Sequence, residues 1–194
     1  MTSRWWADWT TTDFAGLDSE RAVAVLPVGA IEQHGPHLPV GVDTAINDGL
    51  MAAAAAAIPD DLQILILPTQ AVGQSDEHRS FPGTLTIGAE TLIALWTDLG
   101  RSVRRAGVRK LVIMNAHGGQ SAIGAIVAKR LRVEDAMMVV ATSWMRMGLP
   151  SNLLSEDEVR FGIHGGAVET SLMLHLHPDA PRMARAMDFV SRAQ

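Results

Sequence analysis

Four apolar runs, each too short for a typical helix, recur along the chain between longer segments. They are rich in aliphatic and β-branched residues and are bounded by glycine, proline or polar residues, which is the pattern of buried strands. We predict strands at residues 22–31, 62–68, 108–114 and 136–143. Their shortness and apolarity indicate a sheet that is covered on its faces.

Segments with helical periodicity or helix-forming composition separate these runs. Helices are predicted at 45–58, 89–106, 121–132 and around Glu169 up to Pro178. The first of them is rich in alanine, and Asp43 or Thr44 is positioned to cap it. An order of strand, helix and strand along the chain predicts that neighbouring strands are parallel.

Composition narrows the class of protein. The chain has 194 residues, 47% of them hydrophobic and 19% charged, which predicts one globular domain. Its net charge of -5 disfavours nucleic acid, and its most basic stretch, 101–110, reads as the end of a helix and the following loop. No apolar run is long enough to span a bilayer, so we expect a cytoplasmic protein with no membrane partner. Cysteine is absent, so any metal must be held by nitrogen and oxygen ligands.

Three tryptophans stand close to the N-terminus, at Trp5, Trp6 and Trp9. Large apolar rings of this kind seldom stay exposed to solvent. We therefore expect this segment to pack on its own domain or on a neighbouring subunit.

Residues that bind metals follow directly after the first predicted strand. Glu32 and His34 are two apart, so an extended backbone there directs both side chains to the same face. Prolines and glycines after them favour a rigid loop that brings Asp43 back toward the pair. Carboxylate and imidazole ligands together suit zinc, manganese or iron. We interpret this stretch, which also contains His37 and Asp48, as a metal site; the alternative is a polar loop with ordinary surface side chains.

Two histidines stand in other loops. His117 follows the third predicted strand and precedes Gly118 and Gly119. A histidine at the carboxyl end of a strand, with glycines that let a helix approach a ligand, is typical of sites in α/β proteins. The alternative is a glycine-rich turn with an incidental histidine. His78 lies in the loop after the second strand, either at the surface or on the substrate side of the site.

The last chemical stretch is His164 and the helix start that follows it. Glu169 falls in the first turn of that helix, where a carboxylate is favoured by the helix dipole, so it is either a functional acid or a cap. His175 and His177 lie near the end of the same helix on different faces, and we interpret both as structural.

Four segments in this order resemble the creatininase (creatinine amidohydrolase) family: LPVGAIEQHGPHLPVGVDT, HRSFPGTLT, NAHGGQ and HGGAVETSLML. The resemblance spans most of the chain. It implies a three-layer α/β/α sandwich with a largely parallel sheet, which agrees with the predicted order of strands and helices. It also implies hydrolysis of a non-peptide or cyclic amide bond by a metal-activated water.

The resemblance assigns roles to individual residues. It implies two divalent metal ions, zinc first and manganese or iron as alternatives, held by Glu32, His34, Asp43 as the bridging ligand, and His117. Glu169 matches the acidic residue near the metals, and His164 matches the proton-transferring histidine. Three carboxylates would leave two dications with one net positive charge, enough to lower the pKa of a bound water toward neutrality.

The chain also departs from the family pattern. Creatininase proper has Tyr-Glu after the strand-end histidine, with the Glu binding a metal, where this chain has Gly118 and Gly119; Glu169 is the nearest replacement. Arg160 stands where creatininase has a tryptophan before its catalytic histidine, which argues against creatinine and leaves Arg160 either to pair with a substrate anion or to lie at the surface. We expect a single domain over 1–194 that lacks the usual C-terminal segment. The resemblance further implies a homo-oligomer, a hexamer.

Three functions remain open at this stage. The first is the metal-dependent amidohydrolase. The second is a relative that removes a formyl group or cleaves a small peptide, since the same activated water attacks other carbonyl groups. The third is a non-catalytic protein that binds a divalent metal or a small ligand; the presence of His164 beside the Glu169 helix argues against it.

Overall fold

A parallel four-stranded sheet lies at the centre of the protein in the computed structural model, which describes residues 3–188. The strands are β1 (Val23–Val28), β2 (Ile64–Ile66), β3 (Lys110–Asn115) and β4 (Met138–Ser143). Their order across the sheet is β2-β1-β3-β4, and every neighbouring pair is parallel. Because Val28 pairs with Asn115, β1 and β3 end side by side at one edge of the sheet.

Helices cover both faces of this sheet. They are α1 (Thr11–Ala15), α2 (Val42–Ala57), α3 (Ala89–Arg105), α4 (Ser121–Asp135), α5 (Glu156–Phe161) and α6 (Ala167–Leu176). Helices α3 and α4 pack together on one face of the sheet. Helix α2 packs on β1 from the other face, and α6 packs against α2. The predicted three-layer α/β/α sandwich is confirmed.

The main core lies between the sheet and the pair α3 and α4. Alternate residues of β1 enter it, including Leu26, which meets Trp96 from α3 and Leu131 from α4 in one buried cluster. All three side chains are at most 1% exposed. Burying a large apolar side chain contributes about 1.5–3 kcal/mol, so this cluster fixes the position of β1 and of whatever follows it.

Several predicted boundaries were wrong. β1 ends at Val28, three residues before the predicted end, and Ile31 forms only an isolated antiparallel bridge with Leu85. The predicted cap of the alanine-rich helix was also wrong, because α2 begins at Val42 after Gly41 and has no side-chain cap. Thr44 instead donates to the carbonyl of Ala71 at 3.2 Å.

The N-terminal tryptophans pack mainly within the domain. Trp6 joins the main core and its ring lies 4.6 Å from that of Phe14, while the Trp9 ring lies 5.3 Å from Phe14. Trp5 stays 38% exposed. Packing on the chain's own domain is confirmed for Trp6, whereas Trp9 packs on Phe14 within the N-terminal segment, and the subunit contact stays a prediction. None of the helices in the described part of the chain has the length and apolarity needed to cross a membrane.

Candidate metal centre

The segment after β1 folds back on itself and delivers three polar side chains to the edge of the sheet. The amide of Glu32 donates to the carbonyl of Val40 at 2.9 Å, which closes the loop and leads the chain into α2. Glu32 and His34 are fully buried, and Asp43, in the first turn of α2, is 3% exposed. These three ionisable side chains are thus buried close together, and the free-energy cost of removing their charges from water must be compensated.

One group of donors forms around His34. Its Nδ1 faces the carbonyl of Glu32 at 3.1 Å, which leaves Nε2 to point at the carboxylates. Nε2 lies 3.2 Å from Oδ1 of Asp43 and 3.6 Å from Oε1 of Glu169. The potential ligand atoms of these three residues all lie within 4.8 Å of one another, a spacing that a single ion can bridge.

A second group forms around His117 at the end of β3. Its Nδ1 lies 3.2 Å from Oε1 of Glu32 and 3.5 Å from Oδ2 of Asp43. The backbone amide of His117 donates to Oδ1 of Asn115 at 3.0 Å, which holds the loop against the strand. Asp43 therefore presents one carboxylate oxygen to each group, the arrangement expected of a bridging ligand.

Two further histidines border this centre. Nδ1 of His164 lies 3.6 Å from Oε1 of Glu32, and the His164 ring lies between those of His34 and His78, at 4.2 and 4.5 Å. The side-chain amide of Gln33 contacts the rings of His78 and His164, at 3.1 and 3.0 Å. The structure thus brings both histidines close to the buried carboxylate of Glu32, with Nε2 of His78 at 3.7 Å from its Oε1.

Electrostatics of the centre show strong coupling between its members. Burial by itself lowers the pKa of His34, but the carboxylates of Asp43 and Glu169 more than offset this and raise that pKa to about 10. Burial raises the pKa of Asp43. Burial and the positive charge of His34 together lower the pKa of His164. The His164 ring is therefore mainly neutral near pH 7.

Several buried polar atoms of the centre have no hydrogen-bond partner among residues 3–188. They are both carboxylate oxygens of Glu32, Nε2 of His34 and Oδ2 of Asp43. An unpartnered buried polar atom typically costs about 1–3 kcal/mol, and more when it is charged. Electron-pair donors that converge without protein partners fit divalent cations, and the mixture of carboxylate and imidazole suits zinc or manganese.

Buried amides that were not predicted as part of the site hold its loops in place. Gln120 is fully buried; its side chain donates to the carbonyl of Gly29 and to Oδ1 of Asn115, each at 3.0 Å, and accepts from the amide of Gln74 at 3.1 Å. Asn47 donates from α2 to the carbonyls of Val28 and Met114, the latter at 3.1 Å. A polar residue on the buried face of an apolar helix was the only sequence signal for Asn47.

Other polar residues noted in the sequence lie away from the centre. His37 is buried but pairs with the Thr170 hydroxyl at 2.8 Å, and Asp48 accepts from Thr69 at the surface. The Arg160 guanidinium lies 4.9 Å from the ring centroid of its neighbour Phe161. Among the polar residues that follow β1, His37 and Asp48 therefore lie outside the metal centre, whereas Glu32, His34 and Asp43 belong to it.

A cavity of about 560 Å³ opens onto the centre. Glu32, Asp43, His117, His164 and Glu169 form its polar end. The rest of its wall is mainly apolar and includes Trp144, Met145, Met147, Leu149, Ile163 and Leu172. The cavity has room for a small organic molecule or part of a peptide.

The fold and the donor set define a class of protein: a parallel α/β/α sandwich with a candidate centre for two divalent ions at the carboxyl edge of its sheet. The family model described as Creatininase (creatinine amidohydrolase) matches residues 7–194. The chain belongs to the creatininase family.

Individual relatives have different described activities. The chain is 34% identical over 167 residues to the mycofactocin precursor peptide peptidase of Mycolicibacterium smegmatis, covering 84% of this chain and 61% of that protein. It is 35% identical over 182 residues to the creatinine amidohydrolase of Pseudomonas putida, covering 86% of this chain and 68% of the relative. The chain thus spans about three fifths of the length of the peptidase.

Solved structures of creatininases share the fold. A mutant creatininase of the Zn–Zn type superposes with a TM-score of 0.83 at 28% identity, covering 97% of this chain and 78% of that one. A creatininase described with manganese superposes with a TM-score of 0.74 at 28% identity and the same coverage.

Proposed function

We propose that this protein is a metal-dependent amidohydrolase that cleaves an amide C–N bond other than that of creatinine. The observation that carries the proposal is the set of buried, unpartnered donor atoms of Glu32, His34 and Asp43, with His117 and Glu169 beside them. No hydrogen bond within the described chain offsets the free-energy cost of burying these atoms, whereas the binding of two cations would offset it.

We assign the ligands from the two donor groups. His34, Asp43 and Glu169 would hold one ion, and Glu32 and His117 would hold the other with Asp43 shared between them. Zinc and manganese are the proposed metals, because solved creatininases are described in Zn–Zn and manganese forms. When bound, such ions supply Lewis-acid activation of a water molecule and of the substrate carbonyl.

His164 is the proposed proton-transfer group. Its side chain is 25% exposed at the polar end of the cavity, and Nδ1 faces the buried Glu32 carboxylate. In its neutral form the ring can accept a proton from the attacking water and then deliver it to the leaving nitrogen. An amine leaves poorly unless it is protonated, so amide cleavage needs a group in this position.

The mainly apolar wall of the cavity supports a second candidate, hydrolysis of a short peptide or of an amide with an apolar substituent. Creatinine is small and polar and would leave the surfaces of Met147, Leu149 and Ile163 without a partner. An apolar side chain next to the scissile bond would cover them. The likeness to peptidases described as acting on the mycofactocin precursor agrees with this candidate.

The test combines metal content with activity. The purified protein is stripped with a chelator, reconstituted with zinc or manganese, and assayed on creatinine, other cyclic amides, formamides and short peptides with apolar or polar residues at the cleaved bond. We expect close to two ions per chain, activity only in the reconstituted forms, and preference for apolar substituents. Full activity after complete metal removal would contradict the proposal.

A further inference from the structure

We infer that Glu77 is a positioning residue that fixes the orientation of the His117 ring from outside the metal centre. The inference rests on the proposed function, because it assumes that His117 holds an ion. Its basis is a short contact on the far side of the ring, where Nε2 of His117 lies 3.2 Å from Oε1 of Glu77.

The two nitrogens of His117 face different surroundings. Nδ1 faces the inner carboxylates of Glu32 and Asp43, whereas Nε2 faces the carbonyl of Gln74 at 3.0 Å and the Glu77 carboxylate. Two acceptors around Nε2 favour the tautomer that carries its hydrogen there. The lone pair on Nδ1 is then directed into the centre. Such outer acceptors fix the tautomer and the angle of metal-binding histidines.

The segment that carries Glu77 is held from both sides. Glu77 lies in the short 3-10 helix Asp76–His78. The amide of Ser75 before this helix donates to the Thr86 hydroxyl at 2.9 Å, and the Thr84 hydroxyl donates to the carbonyl of His78 at 3.0 Å. These bonds tie the turn to the segment that follows it. The amide of Gln74, just before the turn, also donates to the side chain of Gln120 at 3.1 Å, which links the turn to the loop after β3.

Space for the Glu77 carboxylate exists because position 119 is glycine. A side chain there would collide with Oε1 of Glu77, and its Cβ would lie 2.6 Å from Nε2 of His117. Gly119 therefore leaves open the volume that the carboxylate occupies. The Glu77 carboxylate can therefore occupy its place beside His117 only when position 119 has no side chain.

Glu77, Glu32 and His117 together present potential ligand atoms within 4.8 Å of one another, and two features favour an orienting role for Glu77 over direct binding of the ion. The Glu77 carboxylate approaches Nε2, on the opposite side of the ring from the nitrogen that faces Asp43. The Glu77 side chain is also 44% exposed, whereas those of Glu32 and Asp43 are at most 3% exposed. Solvent screens the charge of such a group, so its effect comes chiefly from orientation.

The test is a calorimetric titration of the chelator-stripped protein with zinc, comparing the wild type with Glu77→Ala and Glu77→Gln. Loss of an outer partner typically weakens metal binding about 10- to 100-fold, and the exposure of Glu77 puts the expected loss for Glu77→Ala at about 10-fold. Only one of the two binding steps should weaken, because His117, whose Nε2 lies beside Glu77, belongs to only one of the two proposed donor groups. Glu77→Gln keeps an acceptor oxygen and should recover most of the affinity.

Glu90→Ala is the matched control, since it removes an exposed carboxylate in the first turn of α3. It should leave both binding steps unchanged. Wild-type affinity in Glu77→Ala, or equal weakening of both steps, would overturn the inference. A wild-type protein that binds no zinc would instead refute the proposed function, so the two failures are distinguishable.

Discussion

The two ends of the cavity are built in opposite ways. At its floor, Glu32 and His117 are at most 5% exposed and stand on loops held by buried amides at the ends of β1 and β3. At its rim, Met147 and Ile163 are 62% and 61% exposed and lie on the segments that follow β4. The floor is therefore fixed by the sheet, whereas the rim depends on side chains that contribute little to the core.

This difference implies that residues at the floor determine metal binding and catalysis, whereas residues at the rim determine which substrate is preferred. Substitutions at the floor should remove metal, proton transfer or stability, because each side chain there is buried and coupled to others. Substitutions at the rim should change which substrate is preferred and leave the rest of the protein intact. Four variants test the separation, from the largest expected effect to the smallest.

His117→Asn should have the largest effect. The variant removes the imidazole that faces Glu32 and Asp43, so we expect loss of at least one ion and activity below detection. Metal analysis of the purified protein measures the loss. His175→Asn, at an exposed position of α6, is the control and should keep both metal and activity. Full metal content in His117→Asn would remove His117 from the centre.

His164→Asn should lower kcat and spare the metal. Positioned proton transfer is typically worth about 10²- to 10⁴-fold in rate, so we expect a loss of that size with metal content near the wild-type value. Steady-state kinetics and metal analysis on the same preparation provide the measurement. Unchanged kcat, or metal loss equal to that in His117→Asn, would show that His164 is not the proton-transfer group.

Gln120→Ala should act on stability. Removing its amide leaves the carbonyl of Gly29 and the amide of Gln74 without their partner, at a cost of about 1–3 kcal/mol in the free energy of unfolding. Denaturant unfolding measures this cost. Gln70→Ala is the control, because within residues 3–188 the Gln70 side chain makes a single long hydrogen bond, to the carbonyl of Pro68 at 3.4 Å. Equal stability of the two variants would contradict a supporting role for Gln120.

Met147→Ala should have the smallest effect and the most selective one. Its side chain lines the apolar wall and is largely exposed, so a contact with an apolar substrate is worth about 1 kcal/mol, or about fivefold in KM. We expect kcat, metal content and stability to stay near wild type. Met138→Ala, which truncates an exposed methionine on β4, is the control. A fall in metal content in Met147→Ala would break the distinction between floor and rim.

Local patterns were enough to predict much of the floor. The spacing of Glu32 and His34, the proline- and glycine-rich loop before Asp43, and the position of His117 after an apolar run each indicated a site at the ends of strands. The structure brings these residues together, with Oδ2 of Asp43 only 3.5 Å from Nδ1 of His117. Parallel strands made this convergence predictable, because their carboxyl ends share one edge.

Residues that depend on distant partners were not predictable in this way. Gln120 acts through the carbonyl of Gly29, 91 positions earlier in the chain, and Glu77 acts through His117. Neither contact leaves a local pattern. The cap of α2 was mispredicted for a related reason: Asp43 has the right residue type for a cap, but its carboxylate is directed to His34 and His117 instead.

The strand order has a further consequence for where ligands can enter. After β1 the chain passes through α2 to β2 on one side, and after β3 it passes through α4 to β4 on the other. Since α2 and α4 lie on opposite faces of the sheet, the loops that leave β1 and β3 diverge. A crevice at such a topological switch point is where open α/β sheets bind their ligands. The backbone path alone therefore opens a crevice between the loops that follow β1 and β3, and the side chains of these loops supply its chemistry.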